Sequence, residues 1–173
     1  MGKYLPTAFA QLEFAWKLFA HAQDGKINIE ELDQGTTYME GGMMIVLRDR
    51  TFDSYDDLVI ACENNVLIAF GAAVITLNRA REEQGLLLPD PITTELEQFI
   101  SITYQIRNAF AHDIAEPRWN MRNSRYSRRY DFGGISVDLS RIKNDAPFTY
   151  ADIGGPDTIF RMGDYFKDVV LGQ

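Results

Sequence analysis

Residues 92–112 read ITTELEQFISITYQIRNAFAH. Within them Ile92, Leu96, Phe99, Thr103, Ile106 and Phe110 recur at steps of four, three, four, three and four. At about 100° per residue these positions form one stripe of a helix, the face expected to meet a core. Thr94 with Glu97 three residues later is a capping-box start signal, and Asp90-Pro91 just ahead supports a start there. The helix is expected to run to about His112 or Asp113, because Glu116-Pro117 discourages continuation.

The same logic extends upstream and downstream. Ser54 followed by Asp57 opens a second long helix reaching about Glu83. Its middle, Val66 to Leu77, is apolar on almost every side, which predicts burial all round, at a bundle centre or a subunit interface. Leu5, Phe9, Leu12, Trp16 and Phe19 give a first amphipathic helix ending before Asp24-Gly25. Between these helices, Lys26 to Asp33 suggests a short extended piece. Gly35, Gly41 and Gly42 mark a loop, with a short helix over Met43 to Arg50. Beyond Pro117, Ile135 to Leu139 alternates like a strand, Phe148 to Ala151 suggests another, and Gly154-Gly155-Pro156 leads into a final helix to Val170. Helices first and strands late predict a mainly α chain, an antiparallel helical bundle with a small C-terminal β/α appendage. The organisation is a single domain over 1–173, with a helical body at about 4–115 and a mixed tail at about 118–173.

A chain of 173 residues with 46% hydrophobic and 12% aromatic content is long enough to bury a core without staples. The one cysteine, Cys62, excludes an internal disulfide and sits in an apolar stretch, so it reads as a buried small hydrophobe. The start carries no secretory pattern. The Met-Gly opening has Pro6 where a myristoylation signal needs Ser or Thr. The dozen-residue run Val66–Leu77 is too short for a bilayer. The expectation is a cytoplasmic protein without a membrane partner. A net charge of −8 argues against general nucleic-acid binding. Yet no acid lies between Glu116 and Asp131, where Arg118, Arg122, Arg125, Arg128 and Arg129 are interleaved with Trp119, Tyr126 and Tyr130. That stretch is a candidate RNA-binding segment, with a solvated loop as its plain alternative.

Arginine and histidine five apart form a weak pattern by themselves; their setting adds information. Helix phase turns His112 about 160° from the core stripe, with Asn108 and Tyr104 below it on the same outer row. Arg107 lies on the flank, about 60° from the core, with a side chain long enough to swing outward. Arginine offers a planar fork to phosphate oxygens, and histidine can take and return a proton near neutrality.

Arg107-Asn108-x-x-x-His112, late on a helix of a small helical bundle, resembles the Arg-x(4–6)-His signature of the HEPN superfamily. The resemblance covers roughly residues 54 to 115 and, more loosely, 4 to 24. It implies a HEPN-like bundle, a homodimer whose two motifs share a cleft, and a metal-independent endoribonuclease needing no cofactor. By that resemblance His112 is base or acid toward the 2′-hydroxyl and the leaving 5′-oxygen, Arg107 stabilises the charged phosphorane, and Asn108 positions the phosphate. Tyr104 and Glu63 are candidate supports for the motif, with an ordinary exposed helix face as the alternative reading of Glu63. A toxin–antitoxin or phage-defence setting follows, with an antitoxin or regulatory protein as partner. The superfamily also holds non-catalytic modules that bind RNA, a nucleotide or a protein. Asp113, Ile114 and Ala115 follow the histidine, so control through a nearby modified tyrosine is not supported.

Other candidates are set aside. His21 stands apart from any acid-rich metal spacing, and two histidines and one cysteine, far apart, do not suggest zinc. Asp24 to Gly35 has the length of a calcium loop without its sixth-position glycine or twelfth-position glutamate. Gly41-Gly42, Gly133-Gly134 and Gly154-Gly155 lack the Lys-Ser or Lys-Thr of a phosphate loop and read as turns.

Overall fold

The computed structural model describes residues 4–173. In chain order the elements are α1 (Tyr4–Gln23), α2 (Ile29–Leu32), a hairpin of β1 (Thr36–Glu40) and β2 (Met43–Leu47), α3 (Tyr55–Glu83), and α4 (Glu95–Phe110). A second hairpin of β3 (Arg129–Phe132) and β4 (Ile135–Asp138) and then α5 (Thr158–Tyr165) follow. α5 runs on as wider helical turns through Phe166–Leu171. The chain is mainly α, with two separate two-stranded antiparallel sheets.

Both capping signals act where the sequence puts them. Ser54 Oγ accepts from the Asp57 amide at 3.2 Å, satisfying an orphan donor at the start of α3. At α4 the Thr94 hydroxyl accepts from the Glu97 amide at 3.2 Å, while the Glu97 carboxylate accepts from the Thr94 amide at 2.7 Å. Reciprocal bonds of this kind hold the first turn.

α3 is the spine: α1 packs along it on one side and α4 on another. Close approach to α4 depends on Gly71, where a Cβ would stand 2.7 Å from both Ile114 Cγ1 and Phe110 Cδ1. The tail then closes over α4. β3 packs against that helix, and Phe99 meets Phe132 and Tyr165 at ring-centroid distances of 5.7 and 5.1 Å. Trp119, Tyr130, Phe132, Leu139, Ile153 and Phe166 belong to the same buried cluster as Phe70, Phe99 and Ile106. Full burial of each such side chain stabilises by roughly 1.5–3 kcal/mol. The tail is therefore part of the core, not an appendage.

Several expectations are corrected. The stretch 26–33 is not extended: Asn28 caps the short α2 by accepting from the Glu31 amide at 3.2 Å. Met43 to Arg50 is not a helix but a strand and its exit, turned by Gly41 and Gly42, both at positive φ (55° and 83°). Two positive φ values are what a tight hairpin turn requires, and glycine takes them without strain. Ile135–Asp138 is a strand, as expected, and pairs with Arg129–Phe132, whereas 148–151 is not a strand and leads into a short 3₁₀ turn over Tyr150–Ile153. α3 is not a bundle centre, since Ile60, Ile68 and Ile75 are exposed on its outer face, which leaves the subunit-interface alternative. By length and composition this 29-residue helix is apolar enough to cross a bilayer, although its central run is not; here its other face lies in the core. α4 in turn buries far more than one stripe, including Ser101, Ile102 and Gln105, because the tail covers the side opposite α3.

Candidate functional site

α4 ends at Phe110, so His112 leaves the helix two residues past its last regular turn. Ala111 caps the end by donating to the Asn108 carbonyl at 3.3 Å. The chain then reverses: the Asp113 carboxylate accepts from the amides of Ala115 and Glu116 at 2.8 and 3.1 Å, bending the loop. The Arg118 amide returns to the Ala109 carbonyl at 3.0 Å, satisfying an acceptor that the helix end leaves open. This return brings Arg118 beside His112.

A second segment lines the far side. The Trp119 amide donates to the Ala146 carbonyl at 2.9 Å, the Asp145 amide to the Trp119 carbonyl at 2.8 Å, and Asn144 Oδ1 accepts from the Met121 amide at 3.0 Å. Trp119 is buried beneath, with Nε1 donating to Asp152 at 2.9 Å. The result is a cavity of about 330 Å³ whose walls include His112, Arg118, Asn120, Arg122 and Asn144. Asp113, Glu116 and Asp145 also line it. Arg118 spends part of its fork on the Asp145 carbonyl at 3.0 Å, whereas Arg122 is exposed and makes no hydrogen bond or ion pair among the described residues. A histidine, one uncommitted guanidinium and two amide side chains around one space can receive a phosphate and move a proton beside it.

Arg107 and Asn108 do not line this cavity. They are half-buried one turn back on α4, and Arg107 donates to Asn108 Oδ1 at 3.0 Å. Tyr104, half-buried on the same helix, lies against Tyr126 with ring centroids 5.8 Å apart. Tyr104, Arg107 and Asn108 thus share one flank of α4, while His112 faces the cavity beyond its end. Glu63 does not line the His112 cavity. It is exposed on α3, and its charge adds to the burial that pushes the Tyr150 hydroxyl up to about 12.

The arginine run divides. Arg125 bonds Asp90 at 3.2 Å, Arg128 donates to the Ile92 carbonyl at 2.8 Å, and Arg129 pairs with Asp131 at 3.0 Å. Those three tie the tail to itself and to the start of α4; Arg118 and Arg122 alone face the cavity. Sequence reasoning missed Asn120, eight residues past His112 in the loop that reverses the chain, and Asn144, thirty-two residues on, because no helical period or spacing links either to the motif. Among the described residues no three His, Cys, Asp or Glu side chains group so as to hold a metal ion. No known protein family, curated protein or solved structure matches the chain.

Proposed function

We propose that this chain is a metal-independent endoribonuclease of HEPN type, working as a cytoplasmic homodimer with RNA as substrate and an antitoxin-like or regulatory protein as partner. The carrying observation is His112 exposed at the end of α4 in a cavity shared with Arg118 and Arg122. In the proposed reaction His112 takes the proton from the ribose 2′-hydroxyl. The 2′-oxygen attacks the adjacent phosphorus, and the phosphorus–5′-oxygen bond breaks. A 2′,3′-cyclic phosphate and a protonated 5′-hydroxyl result, and the histidine regains its resting state as the leaving oxygen takes the proton. Arg122 and Arg118 offer positive charge to the phosphate, and Arg107 with Asn108 forms the neighbouring flank that a second subunit's motif completes.

A second reading has its own support: a non-catalytic HEPN-like module that binds RNA, a nucleotide or a protein. Three carboxylates line the His112 cavity, and Arg107 is turned to its neighbour Asn108 rather than into it. RNA cleavage by wild type and variants separates the two. The nuclease reading expects His112→Ala to lose roughly a hundredfold or more in rate, the scale of losing a general base. Arg107→Lys should rescue only in part, because a point charge replaces a planar fork. Binding without cleavage, unchanged in His112→Ala, selects the module.

A further inference from the structure

The β1–β2 hairpin stands off the core, with only its base, Thr36 and Leu47, lining a hollow beside Leu18, Leu58 and Cys62. Every residue of both strands is exposed. Tyr38, Ile45, Leu47 and Met43 point to one face, and Met39, Met44 and Val46 to the other, as the register Tyr38↔Ile45 and Met39↔Met44 dictates. These seven side chains are between 50 and 69% exposed. A two-stranded hairpin alone in water is at best marginally stable, and one apolar on both faces exposes surface that monomers seldom leave uncovered.

The root, by contrast, is fixed. The Asp33 carboxylate accepts from the Thr51 and Phe52 amides, both at 2.9 Å, and its carbonyl accepts from Arg50 at 3.2 Å. Asp49 accepts from the Gly35 amide across the two strand ends. A clamped base under an apolar blade is an arm held ready to reach another surface.

We propose that the arm is a dimerisation element whose occupant is a second copy of this chain. Three observations favour a copy over another partner. Area comes first: at roughly 100 Å² for each half-exposed side chain, one face of the arm together with the exposed isoleucines of α3 presents about 600–700 Å² per chain, near the ~800 Å² per partner of a standard interface. Charge comes second, because Glu40 is the only charged residue in the two strands, so the arm offers little to an ionic ligand. Third, the same chain carries an apolar acceptor: Ile60, Ile68 and Ile75 stand exposed on α3, within about 80° of each other around the helix. Donor and acceptor on one chain let a two-fold pair cover both at once. In that pair each arm lies across the partner's α3. The inference does not rest on the ribonuclease reading, and its tests read mass and exchange, not cleavage.

Light scattering of the full chain at tens of micromolar should give twice the 19.7 kDa of one chain. Met44→Lys with Val46→Lys on the arm, and separately Ile68→Lys on α3, should each weaken association by roughly tenfold or more, since a charge is forced into an apolar contact. Phe14→Lys, at an exposed apolar site on α1, should leave the mass unchanged. Hydrogen exchange on the unmodified protein needs no variant: amides 36–47 should gain protection as concentration rises. A monomeric wild type, a dimer indifferent to the arm and α3 variants, or exchange at 36–47 independent of concentration overturns the proposal.

Discussion

Gly71→Ala sets two effects of similar size against each other. In a helix interior alanine is favoured over glycine by about 0.8–1.0 kcal/mol, so propensity alone predicts stabilisation. At this position the new methyl lands 2.7 Å from Ile114 Cγ1 and 2.7 Å from Phe110 Cδ1. Ile114 is half-buried on the loop after α4 and can yield. Phe110 cannot: it is held by Phe70 and Phe148 at centroid distances of 5.5 and 4.9 Å. Overpacking of this kind costs about 1–3 kcal/mol, so the expected net effect is a loss of about 1 kcal/mol. For a chain of this length that lowers Tm by roughly 2–4 °C. Thermal and urea unfolding of Gly71→Ala, Ile114→Ala and the double variant give the answer. Ile114→Ala frees one side of the clash, so the double variant should be more stable than the summed single effects by about 0.5 kcal/mol or more. A raised Tm in Gly71→Ala, or strict additivity, refutes the tight α3–α4 crossing.

Other predictions follow from single contacts. Hydrogen bonds from the Thr93 hydroxyl, then from the amides of Thr94 and Thr93, hold the Glu97 carboxyl down to about 2 from its ordinary 4.5. A folded pKa below the unfolded one stabilises above about pH 4.5, and this is lost as pH falls toward 2. The Tm advantage of wild type over Glu97→Gln should therefore be full at neutral pH and gone near pH 2. The Thr103 hydroxyl is fully buried with no hydrogen-bond partner among the described residues, so Thr103→Val should raise stability by about 1 kcal/mol in urea unfolding. Arg128→Ala leaves the Ile92 carbonyl without its donor and should lower Tm, whereas Arg122→Ala should leave Tm unchanged and flatten the salt dependence of RNA binding.

α4 was legible twice, as a 3.6-residue apolar period and as a capping box, whereas α1 was legible by its period and α3 by its Ser54 cap and long apolar run. The first hairpin was not. Met43 to Leu47 is five apolar residues in a row, and with both faces exposed the strand has no alternation to betray it. Only Gly41-Gly42 between β-favouring residues carried the signal, and it was read as a loop. β3 was hidden inside the arginine run, whose residues looked like a phosphate track but serve largely to fasten the tail. Arg107, Asn108 and His112 stood out in the sequence, but their geometry did not, and of the three only His112 lines the cavity. Phase along an unbroken helix carried the histidine past Phe110, where the helix stops and the loop, not the period, sets its direction.

The most direct measurement is the chemistry of the cut ends. Mixed-sequence RNA incubated with the purified protein in EDTA, with fragments identified by mass spectrometry, should show 2′,3′-cyclic phosphates paired with 5′-hydroxyls. Oligonucleotides deoxygenated at the scissile ribose should stay whole, and His112→Ala should leave the RNA intact over the same time. Cleavage that needs magnesium, that proceeds at a 2′-deoxy position, or that persists undiminished in His112→Ala contradicts the account, as does intact RNA after incubation with the wild-type protein.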